Sequence, residues 1–281
     1  MYKKTICLLI LCCLIFLSRE SYGASYTIKS FSMVGATNSY DFANGSIYSG
    51  YRNDLFDPTK FGPGGTVSDV EFSSITRVSA ITASELAGAD IFVATFPYSP
   101  TINFSSSEAQ VIKDFVDAGG SLIVVADGSN ASLVRANTLG ALFGGLTFAY
   151  GGPSGTISIT DHTSAPLLTD GSFGTVSSVG WHNNAVAKIS AAGDATMLDS
   201  IPALGVINPS GSSGSVIFYN DTASFSRMAN YTTGDFLPLS LNMFEYSAKN
   251  SHASGAIPEP ATFILISLSL TAVARRFRKQ S

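Results

Sequence analysis

The chain predicts a three-layer α/β domain on a parallel sheet, with an additional β-rich excursion and a single apolar helix at the C-terminus. Two observations carry this. Ala89 to Phe96 and Ser121 to Ala126 are apolar runs of strand length, and between them Val111, Ile112, Phe115 and Val116 recur at helical spacing. Strand, helix, strand in close succession is most simply a βαβ crossover, which makes the two strands parallel. No internal repeat and no internal linker divides the segment 25–250, so one domain is expected there.

The elements follow in order. Tyr26 to Val34 reads as an opening strand, and Val67 to Ile75 as a second with partial alternation. After the strand at Ala89, Ser105 stands three residues before Glu108, a capping-box pattern, and Gly119-Gly120 ends the helix. Ser132 to Phe143 predicts another helix, with Leu133, Val134, Leu139, Leu142 and Phe143 turned inward. Thr156 to Thr160 and Ser215 to Tyr219 read as later strands, and Asp235 to Ala248 as a closing helix burying Phe236, Leu239 and Phe244. The interval from Thr147 to Pro209 is glycine-rich and less regular, which fits either a β excursion or long loops.

Both ends read as addresses. Lys3 and Lys4 precede an apolar core from Ile6 to Leu17, and Ser21-Tyr22-Gly23 supplies the small residues a signal peptidase reads. Residues 1–24 are therefore expected to be a secretory signal peptide, cleaved near Gly23 or Ala24. At the other end, a linker at 251–257 leads to Pro258-Glu259-Pro260, an apolar stretch from Ala261 to Ala274, and the cations Arg275, Arg276, Arg278 and Lys279 within 275–279. The prolines hold the tripeptide extended, a form that a processing enzyme can grip. The apolar run spans roughly 21 Å as a helix, short of the ~30 Å hydrocarbon core, so flanking residues must snorkel or the bilayer must thin. The terminal cations would stay cytoplasmic, as a basic stop-transfer signal, with the body of the protein outside.

That order resembles the PEP-CTERM sorting signal of Gram-negative bacteria. The resemblance covers 258–281 and implies an exosortase as processing partner. It also implies an inner-membrane intermediate held by the C-terminal helix, and a final place at the cell surface, in the outer envelope or outside the cell. The expected role is a non-catalytic surface or matrix protein associated with exopolysaccharide or the envelope.

Removing the ends changes the chemistry that remains. All three cysteines, Cys7, Cys12 and Cys13, lie in the leader, so the exported body has no disulfide and no thiolate nucleophile. Between Ala24 and Ile257 there are 9 Lys+Arg against 18 Asp+Glu, a net charge of −9 compared with −4 for the whole chain. Such a domain repels phosphate backbones, so nucleic acid is not an expected partner. No Gly-rich phosphate loop, His-Glu-x-x-His helix or Cys-x-x-Cys pair is present, so neither a cofactor nor a metal is expected.

A second likeness rests on Phe61-Gly62-Pro63-Gly64-Gly65, the strand at Asp90, the run from Phe115 to Val124, and Gly214 to Asp221. Over about Ala24 to Tyr246 these motifs resemble domains related to class I glutamine amidotransferases. The likeness implies a flavodoxin-like fold. In the active enzymes a cysteine follows the strand that here ends at Ala126; this chain has Asp127-Gly128-Ser129-Asn130 at that turn, so the activity is not carried over.

Three candidate contacts remain. Ser129 stands where a strand-to-helix turn exposes a side chain, and could serve a hydrolase if His162 or His182 supplied a base; the competing reading is that Ser129 or Asn130 caps the next helix. Asp127 and Asp221 follow two different strands and could pair at the sheet's carboxyl edge as a hydrolase's carboxylates or as ligands for calcium or a sugar; alternatively each accepts turn N–H groups. Trp181-His182-Asn183-Asn184 combines an aromatic face with polar groups, as in a carbohydrate platform. Asp41 with Asn44, and Asn53-Asp54 with Asp57, offer oxygen ligands without the spacing of a calcium loop.

Overall fold

The computed structural model describes residues 23–33, 35, 38–97, 105–151, 155–181, 187–199, 204–207, 214–220, 225 and 234–251. Residues 1–22 of the expected leader and the whole of 258–281, where the tripeptide, apolar helix and basic cluster are expected, lie outside the described residues.

The strands are β1 (Ala24–Ser32), β2 (Val70–Arg77), β3 (Ile91–Thr95), β4 (Ser121–Val125), β5 (Thr147–Tyr150), β6 (Gly155–Ser158), β7 (Asp170–Gly171), β8 (Gly174–Thr175), β9 (Ser178–Trp181), β10 (Ala187–Ala191), β11 (Thr196–Met197), β12 (Leu204–Ile207) and β13 (Val216–Tyr219). The helices are α1 (Ser49–Leu55), α2 (Ala83–Leu86), α3 (Ser106–Asp117), α4 (Asn130–Leu142), α5 (Pro166–Thr169) and α6 (Phe236–Lys249). Seven strands form one sheet in the order β11-β12-β13-β4-β3-β1-β2. The five from β2 to β13 are parallel, while β12 and β11 join antiparallel at the edge. The sheet is therefore mixed, which corrects the expectation of a parallel one.

Continuous apolar runs form β3 and β4 because both faces of these strands are covered. All ten of their residues are buried. On one face Ile91, Val93, Ile123, Val125, Ile217 and Tyr219 pack with residues of α1 and α6; on the other, Phe92, Ala94, Leu122, Val124, Val216 and Phe218 pack with residues of α3 and α4. Two cores on opposite faces make three layers. The first core is aromatic at its centre: Phe42 stacks on Phe244 at 5.7 Å, and Tyr51 on Phe225 at 5.0 Å.

Helix α3 is bounded as its sequence predicts. Ser105 Oγ accepts the Glu108 N–H while Glu108 Oε2 accepts the Ser105 N–H at 2.6 Å. At the far end Gly119, with φ 104°, turns the chain so that its N–H reaches Val116 O (2.9 Å) and the Gly120 N–H reaches Phe115 O (3.0 Å), a Schellman stop. A side chain at Gly120 would strike the Phe115 ring.

Other boundaries move by a few residues. The opening strand starts at Ala24, and the second starts at Val70 because Val67 is held in an isolated bridge with Phe61. Helix α4 begins at Asn130, and Val134 on it is 65% exposed, not inward, because Leu133, Ala136 and Leu139 take the face toward the sheet. The interval 147–209 holds β structure: β5 pairs with β10, β6 with β9, and β7 with β8, all antiparallel. This excursion is tied to α6 by buried polar groups. Asn242 accepts the Phe173 N–H (3.1 Å) and donates to Gly174 O (3.0 Å); Glu245 accepts from Ser172 N (3.1 Å) and Ser172 Oγ (2.7 Å) and pairs with Lys249 (3.1 Å).

Candidate functional site

In a doubly wound sheet, ligands approach the carboxyl ends of the strands where the winding reverses. Among the parallel strands the order β2-β1-β3-β4-β13 places that reversal between β1 and β3. Tyr40, in the segment after β1, lies across both strand ends. Its carbonyl accepts from Ser32 Oγ at 3.1 Å and from Thr95 Oγ1 at 3.3 Å. The chain's own backbone thus occupies the hydroxyls at the switch point.

The turn after β4 is closed in a similar way. Ser132 Oγ, fully buried, donates to Phe96 O (2.6 Å) and accepts from the Asp127 N–H (3.0 Å), so one hydroxyl pins the ends of two strands. Asp127 Oδ1 accepts the Gly128 N–H at 2.7 Å. Ser129 Oγ accepts the Ser132 N–H at 3.1 Å and its carbonyl accepts the Leu133 N–H, which is the geometry of an N-cap. Of the other candidates, Trp181 ends β9, but its side chain, His182 and Asp221 lie outside the described residues. His162 sits beside Asp161, whose carboxylate is held well below the usual carboxylate range by the Ser164 side chain and N–H and by the N–H and hydroxyl of Thr163.

The paired oxygen ligands have cations of the protein as partners. Asp54 and Asp57 both hold Lys60. Asp41, fully buried, bonds Arg77 Nε at 3.1 Å and accepts the Asn44 N–H at 2.8 Å. Burial pushes its carboxyl up, outweighing the lowering effects of the Asn44 bond and Arg77. Arg52 donates to Phe42 O and Gly45 O, both at 2.8 Å, and burial lowers its pKa against the opposing field of Asp41. This charged cluster fixes the segment that carries Tyr40. Sequence reasoning saw Asp41 and Asn44 only as oxygen ligands; Arg77 at the end of an edge strand was the available signal.

At the opposite, amino edge lies a groove of about 430 Å³ lined by Leu86, Gly88, Val111, Phe115 and Gly120 among others. Among the described residues no group of three or more His, Cys, Asp or Glu is placed to hold a metal, and no helix is long and apolar enough to cross a membrane.

The fold and the carboxyl edge define a doubly wound α/β domain. No protein-family model and no curated protein matches the chain. Solved structures do. The N-terminal domain of mmIFT52 is similar over 83% of this chain and 99% of its own, with 11% identity and a TM-score of 0.54. An exo-β-1,4-mannosidase from Opitutaceae bacterium strain TAV5 shares 15% identity over 80% of this chain at a TM-score of 0.47, and this chain spans 36% of its length. A ThuA-like protein from Bacteroides uniformis shares 10% identity over 79% of this chain and 91% of its own, at 0.46. The likeness to the mmIFT52 domain extends over nearly all of that domain and is one of fold alone.

Proposed function

We propose that the chain is an exported, exosortase-sorted surface or extracellular-matrix protein whose amidotransferase-like α/β domain is non-catalytic and serves an exopolysaccharide or envelope role. The observation that carries the sorting half is the ordered tail, Pro258-Glu259-Pro260, apolar run, terminal cations. The non-catalytic half is supported by the carboxyl edge. At the turn where the related enzymes place a cysteine, Ser129 spends its oxygen on capping α4. Beside it, the hydroxyls at the switch point are bonded to the Tyr40 carbonyl. A domain of this kind acts by being displayed.

The test is sorting in a host with the matching exosortase. Replacing Pro258, Glu259 and Pro260 by alanine is expected to leave the protein in the inner membrane with its tail uncut, read by fractionation and intact mass. Identical location and mass for variant and wild type would sink the proposal.

A further inference from the structure

The two ends of the described domain meet at one residue. Ala24, the first residue of β1, donates its N–H to Asp69 O at 3.0 Å, and Lys249, the last residue of α6, reaches Asp69 Oδ2 with its ammonium at 3.2 Å. Asp69 directly precedes β2, so both ends lie at the amino edge of the sheet. Gly23 is packed against the same place, where a Cβ would come within 2.8 Å of Asp69 C and Ser68 O. The closed carboxyl edge, with Tyr40 and Ser129, lies at the other end of the strands.

From this juxtaposition we infer that the amino edge of the sheet is the membrane-facing side of the exported domain, and that its carboxyl edge points away from the bilayer. The inference rests on the reading of leader and tail as membrane segments. Both leave the domain at Asp69, so during export the leashes converge on one point of one edge. Eight residues, 250–257, separate the end of α6 from the sorting tripeptide, a reach of at most about 29 Å when fully extended. Strand β2 alone carries the chain a comparable distance toward the far edge, about 26 Å at ~3.3 Å per residue. Among the described residues this edge presents Asp69, Asp114 and Asp117, with Lys249 paired to Asp69 and Lys113 to Asp117, so it carries no excess of positive charge toward anionic lipid and the covalent leashes hold it there.

The experiment uses the full chain, with the leader cysteines changed to serine, in vesicles of phosphatidylethanolamine and phosphatidylglycerol carrying a headgroup nitroxide. Fluorophores are placed through Ser68→Cys and Ala118→Cys, exposed at the amino edge, and Ala80→Cys, exposed beyond the carboxyl end of β2. Quenching at Ser68 and Ala118 and its loss at Ala80 is the expected result, and the second amino-edge probe covers a failure of the first to fold. A protein that floats with its vesicles but is quenched equally at all three sites, or more at Ala80, overturns the orientation while leaving the membrane reading intact. If it does not float with the vesicles, the membrane reading falls and the orientation with it.

Discussion

Glu245→Gln tests whether the buried polar contacts of α6 hold the β excursion. Glu245 is fully buried, accepts two hydrogen bonds from Ser172 and pairs with Lys249. Glutamine keeps the shape but puts a donor in place of one accepting oxygen: at Oε2 it faces the Ser172 N–H, and at Oε1 it faces the Lys249 ammonium and the Ser172 hydroxyl. A hydrogen bond to a charged group is worth ~1.5–3 kcal/mol, and a neutral one about 1. Rotation of the Ser172 hydroxyl to accept recovers part of the loss, and Lys249 keeps Asp69, so the expected net cost is about 2 kcal/mol. For a domain of this size that lowers the melting temperature by roughly 4–8 °C. Urea and thermal unfolding of the protein, followed by far-UV circular dichroism, measure it. A double-mutant cycle with Ser172→Ala should give a coupling energy of about 1 kcal/mol. Unchanged stability in Glu245→Gln, or strict additivity in the cycle, would refute the reasoning.

Two further outcomes are expected. Ser129→Ala should cost about 1 kcal/mol through loss of the α4 cap, and Ser129→Asp should restore it, since aspartate caps as well as serine; equal instability of both variants would show that the hydroxyl does something other than capping. For Asp41 the sign follows from its raised pKa: the folded protein binds this proton more tightly than the unfolded chain, so the stability Asp41 contributes falls as pH rises from about 4 through its folded pKa. The stability gap between wild type and Asp41→Asn, from denaturant titrations at several pH values, should therefore be widest in acid and narrow upward; a gap that widens with pH contradicts the burial argument.

How much was legible depended on how locally each feature is determined. The unit β3, α3, β4 could be read directly because its strands are covered on both faces and its helix carries both punctuation marks, Ser105 with Glu108 and Gly119-Gly120. The direction of β12 and β11 has no such marks, since an apolar run reads the same parallel or antiparallel. Helix α1 escaped notice because its sequence, Ser49 to Leu55, is short and polar; the burial of Tyr51 and Leu55 and the bonds from Arg52 to Phe42 O and Gly45 O hold it in place. At the candidate site, capping by Ser129 was legible from its place before a helix. The Tyr40 contacts were not, because they join residues up to 55 positions apart through a backbone carbonyl.

The polar clasp on α6 decides how that helix finds its register. Its partners sit 73 positions earlier in the chain, in a turn that exists only once β7 and β8 have paired. An apolar helix could settle early, in several registers, and slide. This one has Asn242 and Glu245 on its buried side and finds partners for them in a single register, after the insert has formed. Helix α6 is thus a latch whose register the insert sets.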